Sequence, residues 1–135
     1  MKIETESWGP IDFRGGILAP AAYFEAPESL RQQVCNGCGT AGWKGKIVPD
    51  TILGQRITGR CDPHDWMYHY GRTELDKVFA DVIFLANLLL AVYIESKAPS
   101  WLRYWRSVRA VGYFIAVFLG GRSAFLAGRD GFWNE

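Results

Sequence analysis

Cys61-Asp62-Pro63-His64-Asp65-Trp66-Met67-Tyr68 is the stretch on which the reading of this chain turns. Pro63 suits a first helical turn, where its missing N–H is not needed, and Asp62 can cap that turn. A helix is therefore expected from about Cys61 to Gly71, with the glycine as its stop. On such a helix His64 and Tyr68 stand four apart and share a face. Asp65 points about 100° away. An imidazole and a carboxylate can thus reach one cleft. The plainer alternative is an ordinary helix with a hydrogen-bonded histidine and a solvated aspartate.

Working outward, a long helix is expected from about Thr73 to Ser96. Thr73 with Asp76 resembles a capping box. Apolar residues recur at Leu75, Val78, Phe79, Val82, Ile83 and Leu85, which is helical spacing. Pro99 marks a break. A further helix covers Trp101 to Leu119, and its first half alternates aromatics with bases: Trp101, Arg103, Tyr104, Trp105, Arg106 and Arg109. That pattern suits the headgroup boundary of a phospholipid membrane. A core-packing helix with solvated arginines is the alternative. Upstream, residues 35–60 hold six glycines, at 37, 39, 42, 45, 54 and 59, with no helical period. They read as a long loop, and loops of that length in a small domain are usually functional. Residues 1–34 read as irregular, punctuated by Pro10, Gly15, Gly16, Pro20 and Pro27, with a short helix from Pro27 to Val34. Residues 1–135 together read as one mainly α domain.

Composition sets outer bounds. Hydrophobic residues make up 49% and charged residues 21%, which fits a globular chain. The formal net charge of +1 supplies no global attraction to nucleic acid, and none is expected as a partner. Six tryptophans within a 15% aromatic content favour contact with an apolar or interfacial surface, with core filling as the alternative. The polar start, Met1 to Glu6, has neither a basic nor an apolar leader segment, so no classical signal peptide is expected. The longest uncharged apolar stretch, Val82 to Ile94, falls short of the roughly 20 residues of a membrane span and reads as a buried core helix.

Three runs in order add a further level: Asn36-Gly37-Cys38-Gly39-Thr40-Ala41-Gly42-Trp43, then Cys61-x-x-His64-Asp65-x-x-Tyr68, then Ala80-Asp81-x-x-Phe84-Leu85. Together they resemble the phospholipase A2 superfamily, in its compact form that includes the parvovirus capsid lipases. The resemblance covers about residues 36–90. It implies two antiparallel core helices, a Gly-rich calcium loop and, here, an additional C-terminal helix. It implies calcium-dependent hydrolysis of the sn-2 acyl ester of a glycerophospholipid at a membrane surface. His64 would be the general base. Asp65 and the backbone carbonyls of Gly37, Gly39 and Ala41 would hold Ca²⁺. Asp81 would orient His64, and Tyr68 would bond beside it. Asp76, on the same helix, is a rival orienter. The resemblance also pairs Cys38 with Cys61 in a disulfide, leaving Cys35 single. Two positions depart from the family pattern: Ala41 replaces the expected second loop glycine, and Pro63 precedes His64 directly. A compact member without a leader would leave the cell by another route, such as association with a phage.

A different class uses some of the same residues. Cys35-x2-Cys38 and Cys61-x2-His64, with 22 residues between the pairs, could form a structural zinc site. It would leave Asp65, Tyr68 and the Asp81 run unexplained. A lipase-like domain that binds lipid without hydrolysing it is the third reading.

Overall fold

The computed structural model describes residues 4–5, 7–35 and 51–121. It is mainly helical, as expected, with small sheets. The N-terminal region differs from the irregular segment expected. Three short strands, β1 (Glu4–Thr5), β2 (Gly9–Arg14) and β3 (Ile17–Pro20), form an antiparallel sheet in the order β1-β2-β3. Arg14 pairs with Ile17, so Gly15 and Gly16 alone make the turn. Both have positive φ, +60° and +80°, which is what a tight two-residue hairpin demands and glycine allows.

Two short helices follow, α1 (Ala21–Glu25) and α2 (Glu28–Val34). Each starts directly after a proline, Pro20 and Pro27, with φ near that of a helix and no N–H to lose. The expected Pro27–Val34 helix is α2. A small hairpin, β4 (Thr51–Ile52) and β5 (Gln55–Arg56), leads into α3 (Thr58–Tyr70).

Helix α3 begins one turn earlier than expected. Pro63 is therefore inside the helix rather than in its first turn, where it deprives the Gly59 carbonyl of an i→i−4 partner. The residues after it stay helical because they are packed: the whole run from Pro63 to His69 is buried. Tertiary burial here outweighs the local cost of an interior proline.

Helix α4 (Glu74–Leu90) continues through a π-helical turn, Ala91–Glu95, matching the expected 73–96 span. Its start is the capping box foreseen: the Thr73 hydroxyl accepts from the Asp76 N–H at 3.1 Å, and the Asp76 carboxylate accepts from the Thr73 N–H at 3.2 Å. Helix α5 (Ser100–Gly120) closes the described chain.

Met67 and Tyr68 pack with Ala80 and Ile83, while Cys61 packs with Phe84 and Leu88. Partner numbers fall as α3 numbers rise, so α3 and α4 are antiparallel neighbours. Ala110 and Val117 of α5 join the Phe84 and Leu88 cluster from the other side. Helix α4 is thus the central element, and its buried face is wide: Lys77, Asp81, Phe84 and Leu88 on one row, Asp76, Ala80, Ile83 and Asn87 on the next. This corrects the apolar face read from the sequence. Leu75, Val78 and Val82 are exposed, and charged or polar residues take their place inside.

By length and composition the segment Glu74–Glu95 could cross a membrane. Its buried polar residues are engaged within the protein instead. Asn87 accepts from the Leu18 N–H at 2.7 Å and donates to the Leu18 carbonyl at 2.8 Å, pairing with β3 as a strand would. Trp8 donates to the Met67 carbonyl at 3.1 Å and fixes the sheet over α3.

Candidate functional site

The site is the seam between α3 and α4. His64 Nε2 lies 2.8 Å from Asp81 Oδ1, and both side chains are almost wholly buried. The Tyr68 hydroxyl donates to the same Asp81 oxygen at 2.5 Å. His64 and Tyr68 come together because they are one turn apart on α3. Their rings lie 4.1 Å apart between centroids, and Phe84 walls the imidazole from the other side at 4.7 Å. The ring is therefore held at three points: two aromatic faces and one hydrogen bond.

Asp81 is fully buried and accepts three hydrogen bonds. The third comes from Lys77 Nζ, 2.7 Å from Oδ2 and one turn back on α4. Lys77 also donates to the carbonyls of Val117 (3.2 Å) and Phe118 (3.1 Å) at the end of α5. It thus ties the third helix to the His64–Asp81 pair. Burial alone would raise the Asp81 pKa. The His64 contact, Lys77 and Tyr68 outweigh it and hold the carboxyl below its ordinary range, so Asp81 is an anion. Burial, then the facing Asp81 charge, pushes the Tyr68 phenol well above its usual range and keeps it a donor. With Nε2 committed to Asp81, Nδ1 is the remaining ring nitrogen, and no hydrogen-bond partner for it is found among the described residues.

Gly121, just beyond α5, belongs to the same seam. A Cβ there would stand 2.5 Å from the Val117 carbonyl and 2.6 Å from the Tyr68 hydroxyl. Only a residue without a side chain lets the end of α5 come this close to Tyr68.

Asp65 follows His64 on α3 and is buried. Its charge is felt by Cys35, whose thiol is raised by burial first and then by Asp65 and Asp62. Cys35 is a free cysteine, and its thiol donates to the Asp62 carbonyl at 3.2 Å. Gly37, Cys38, Gly39 and Ala41 lie outside the described residues. Asp76, the rival orienter, is not at the histidine. Its carboxylate accepts from Ser7 and from the Arg72 and Thr73 amides and serves the start of α4.

As for a metal, Asp65 offers a hard oxygen donor of the kind Ca²⁺ takes. Among the described residues no group of three His, Cys, Asp or Glu side chains could hold an ion. That includes Cys35, Cys61 and His64, three members of the zinc alternative. His64 there is committed to Asp81, and Cys35 to a backbone carbonyl.

The sequence-derived residues His64, Tyr68 and Asp81 are therefore brought together. Lys77 was missed. A lysine four residues before an aspartate reads as an exposed helix pair, and nothing local marks this one as buried. No protein-family model matches the chain, and no curated protein or solved structure matches it.

Proposed function

We propose that the chain is a calcium-dependent phospholipase A2-like hydrolase that cleaves the sn-2 acyl ester of glycerophospholipids. The observation that carries this reading is the buried His64 Nε2–Asp81 Oδ1 hydrogen bond, shared with Tyr68 across two antiparallel helices. It leaves Nδ1 as the ring's working atom. In this mechanism a water donates a proton to His64 Nδ1 as its oxygen attacks the ester carbonyl carbon. The Asp81 anion stabilises the imidazolium that results, and Tyr68 and Lys77 keep the carboxylate in line with the ring. The proton then passes from Nδ1 to the departing glyceryl oxygen, the acyl C–O bond breaks, and neutral His64 is restored. Phe84 and Tyr68 exclude water from the flanks of the ring. Asp65, with the carbonyls of Gly37, Gly39 and Ala41, would hold Ca²⁺. When bound, the ion would polarise the ester carbonyl and offset the negative charge that develops on its oxygen.

The cysteines are consistent with this reading. Cys35 is free, whereas Cys61 is disulfide-bonded. A Cys38–Cys61 bridge would pin the glycine-rich segment to α3 three residues before His64, on the side that Asp65 requires.

The test is fatty-acid release from mixed phospholipid vesicles, with Ca²⁺ or with excess chelator. The expected result is release that needs Ca²⁺ and falls by about 10²–10⁴-fold in His64→Gln. Vesicle binding without release in any condition would identify a lipid-binding domain with an idle site. Tightly held zinc in the purified protein would promote the Cys35, Cys38, Cys61 and His64 alternative.

A further inference from the structure

The outward face of α5 is the feature that the catalytic reading leaves unused. Trp101, Tyr104, Val108, Val111, Ile115 and Phe118 are all exposed, and they recur at spacings of three and four. That is one continuous stripe along a helix about 30 Å long. Trp105 and Leu119 widen it, and Leu119 is 75% exposed. The Lys77 bonds to the Val117 and Phe118 carbonyls bring its C-terminal end beside α4, one turn from Asp81. The apolar stripe therefore runs from Trp101 to the end of α5 that Lys77 joins to Asp81.

Its charge decides what covers it. No acidic residue occurs between Glu95 and Asp130. Lys97 and Arg109 are exposed beside the aromatic end. Arg103 and Arg106 lie on the inward face with Ala110, where among the described residues they donate to the Ser96 carbonyl and hydroxyl and the Leu53 carbonyl. Among the described residues none of the four cations pairs with an acid. The three-and-four spacing would suit self-pairing as a coiled coil, but two copies would oppose cations with no acids to meet them. An apolar, Trp- and Tyr-rich face edged by uncompensated cations matches a different partner: the interface of a membrane rich in anionic phospholipid.

We infer that α5 lies flat on anionic phospholipid bilayers through its Trp101–Leu119 stripe, with the exposed Lys97 and Arg109 reaching the headgroups. This rests on the surface rather than on the site, and it deepens the catalytic reading by naming the surface that the site would work on.

The experiment is co-sedimentation of the full chain with vesicles of phosphatidylcholine alone or mixed with phosphatidylglycerol. Excess chelator is present so that no lipid is consumed, and tryptophan emission is followed in parallel. Binding is expected to the mixed vesicles, with a blue shift, and to weaken as salt is raised. Trp101→Ala/Trp105→Ala and Lys97→Gln/Arg109→Gln should each weaken it by roughly tenfold or more. These exposed sites should leave the melting temperature unchanged, and His64→Gln should bind as the wild type does. Equal binding to both vesicle types, or indifference to the substitutions, overturns the inference. So does a stable dimer in sedimentation that Trp101→Ala/Trp105→Ala dissolves, because a second copy then covers the stripe. Hydrolysis of a short-chain phospholipid below its micelle concentration separates the two claims. Turnover there without vesicle binding leaves the site intact and removes α5 from the account.

Discussion

Helices α4 and α5 break the usual division of residues in opposite directions. Helix α4 buries Lys77, Asp81 and Asn87 while it exposes Leu75, Val78 and Val82. Helix α5 exposes nearly a full stripe of aromatics and aliphatics and buries only Ala110 and Val117. A buried ion pair is weak evidence for stability, because desolvation offsets most of the Coulomb gain. An exposed apolar stripe contributes little to folding. The first holds a histidine by a hydrogen bond, and the second is the surface from which membrane binding is inferred. The contrast also shows that the two inversions are joined, since Lys77 holds both Asp81 and the end of α5.

The comparison is broken most severely by removing one partner of the buried pair. Asp81→Ala strands Lys77 and should destabilise the protein by about 3–5 kcal/mol in denaturant titrations. The double change Lys77→Met/Asp81→Asn should recover much of that, because a neutral, well-packed pair has no desolvation to offset. If the double change is as unstable as Asp81→Ala, the pair is structural in its own right. Tyr68→Phe removes one hydrogen bond to a charged acceptor and should lower stability by about 1.5–3 kcal/mol. It should also slow any ester hydrolysis while leaving vesicle binding by α5 unchanged.

A pH series sharpens the same contrast. Asp76 and Asp81 sit below their ordinary values in the fold, so the stability they add is present above the usual carboxylate range and is lost as pH falls through it. Burial lowers His69 from its ordinary 6.5. The unfolded chain then binds more protons than the folded one below that pH, which again weakens the fold on acidification. On the alkaline side, burial and Cys35 raise Tyr23 to about 12, and Tyr68 is raised too. Above pH about 10 the unfolded chain releases protons that the fold retains, and stability falls. The melting temperature should accordingly peak between pH 7 and 9. A monotonic profile would contradict the buried network. The smallest effect belongs to the exposed side of α4: Val82→Thr should change stability by no more than about 0.5 kcal/mol.

The site was more legible in the sequence than the fold. His64 and Tyr68 at helical spacing after a cappable turn could be placed on one face from the residues alone. Asp81 needed the resemblance, because an aspartate within a helix has no local sign of burial. Lys77 had none either. Its burial depends on the carbonyls of α5, about 40 residues away in the chain. The sheet was missed although its signal was present. Gly15-Gly16 between Ile11–Arg14 and Ile17–Pro20 is a two-residue hairpin turn flanked by β-formers. Pro10 and Pro20, residues that disfavour strands, bracket the hairpin and mask the pattern. Asp62-Pro63 likewise obscured the true start of α3, because the usual first-turn signature lay inside the helix.

Asn87 has a consequence for how the protein behaves in a crowd. An open sheet leaves its two edge strands, here β1 and β3, with donors and acceptors ready to recruit another chain. The amide of Asn87 occupies both groups of Leu18 at the outer edge of β3. It acts as a terminator for the sheet, supplied by a helix and spent on a single residue. The safeguard at the β3 edge is therefore built into the same helix that carries Asp81.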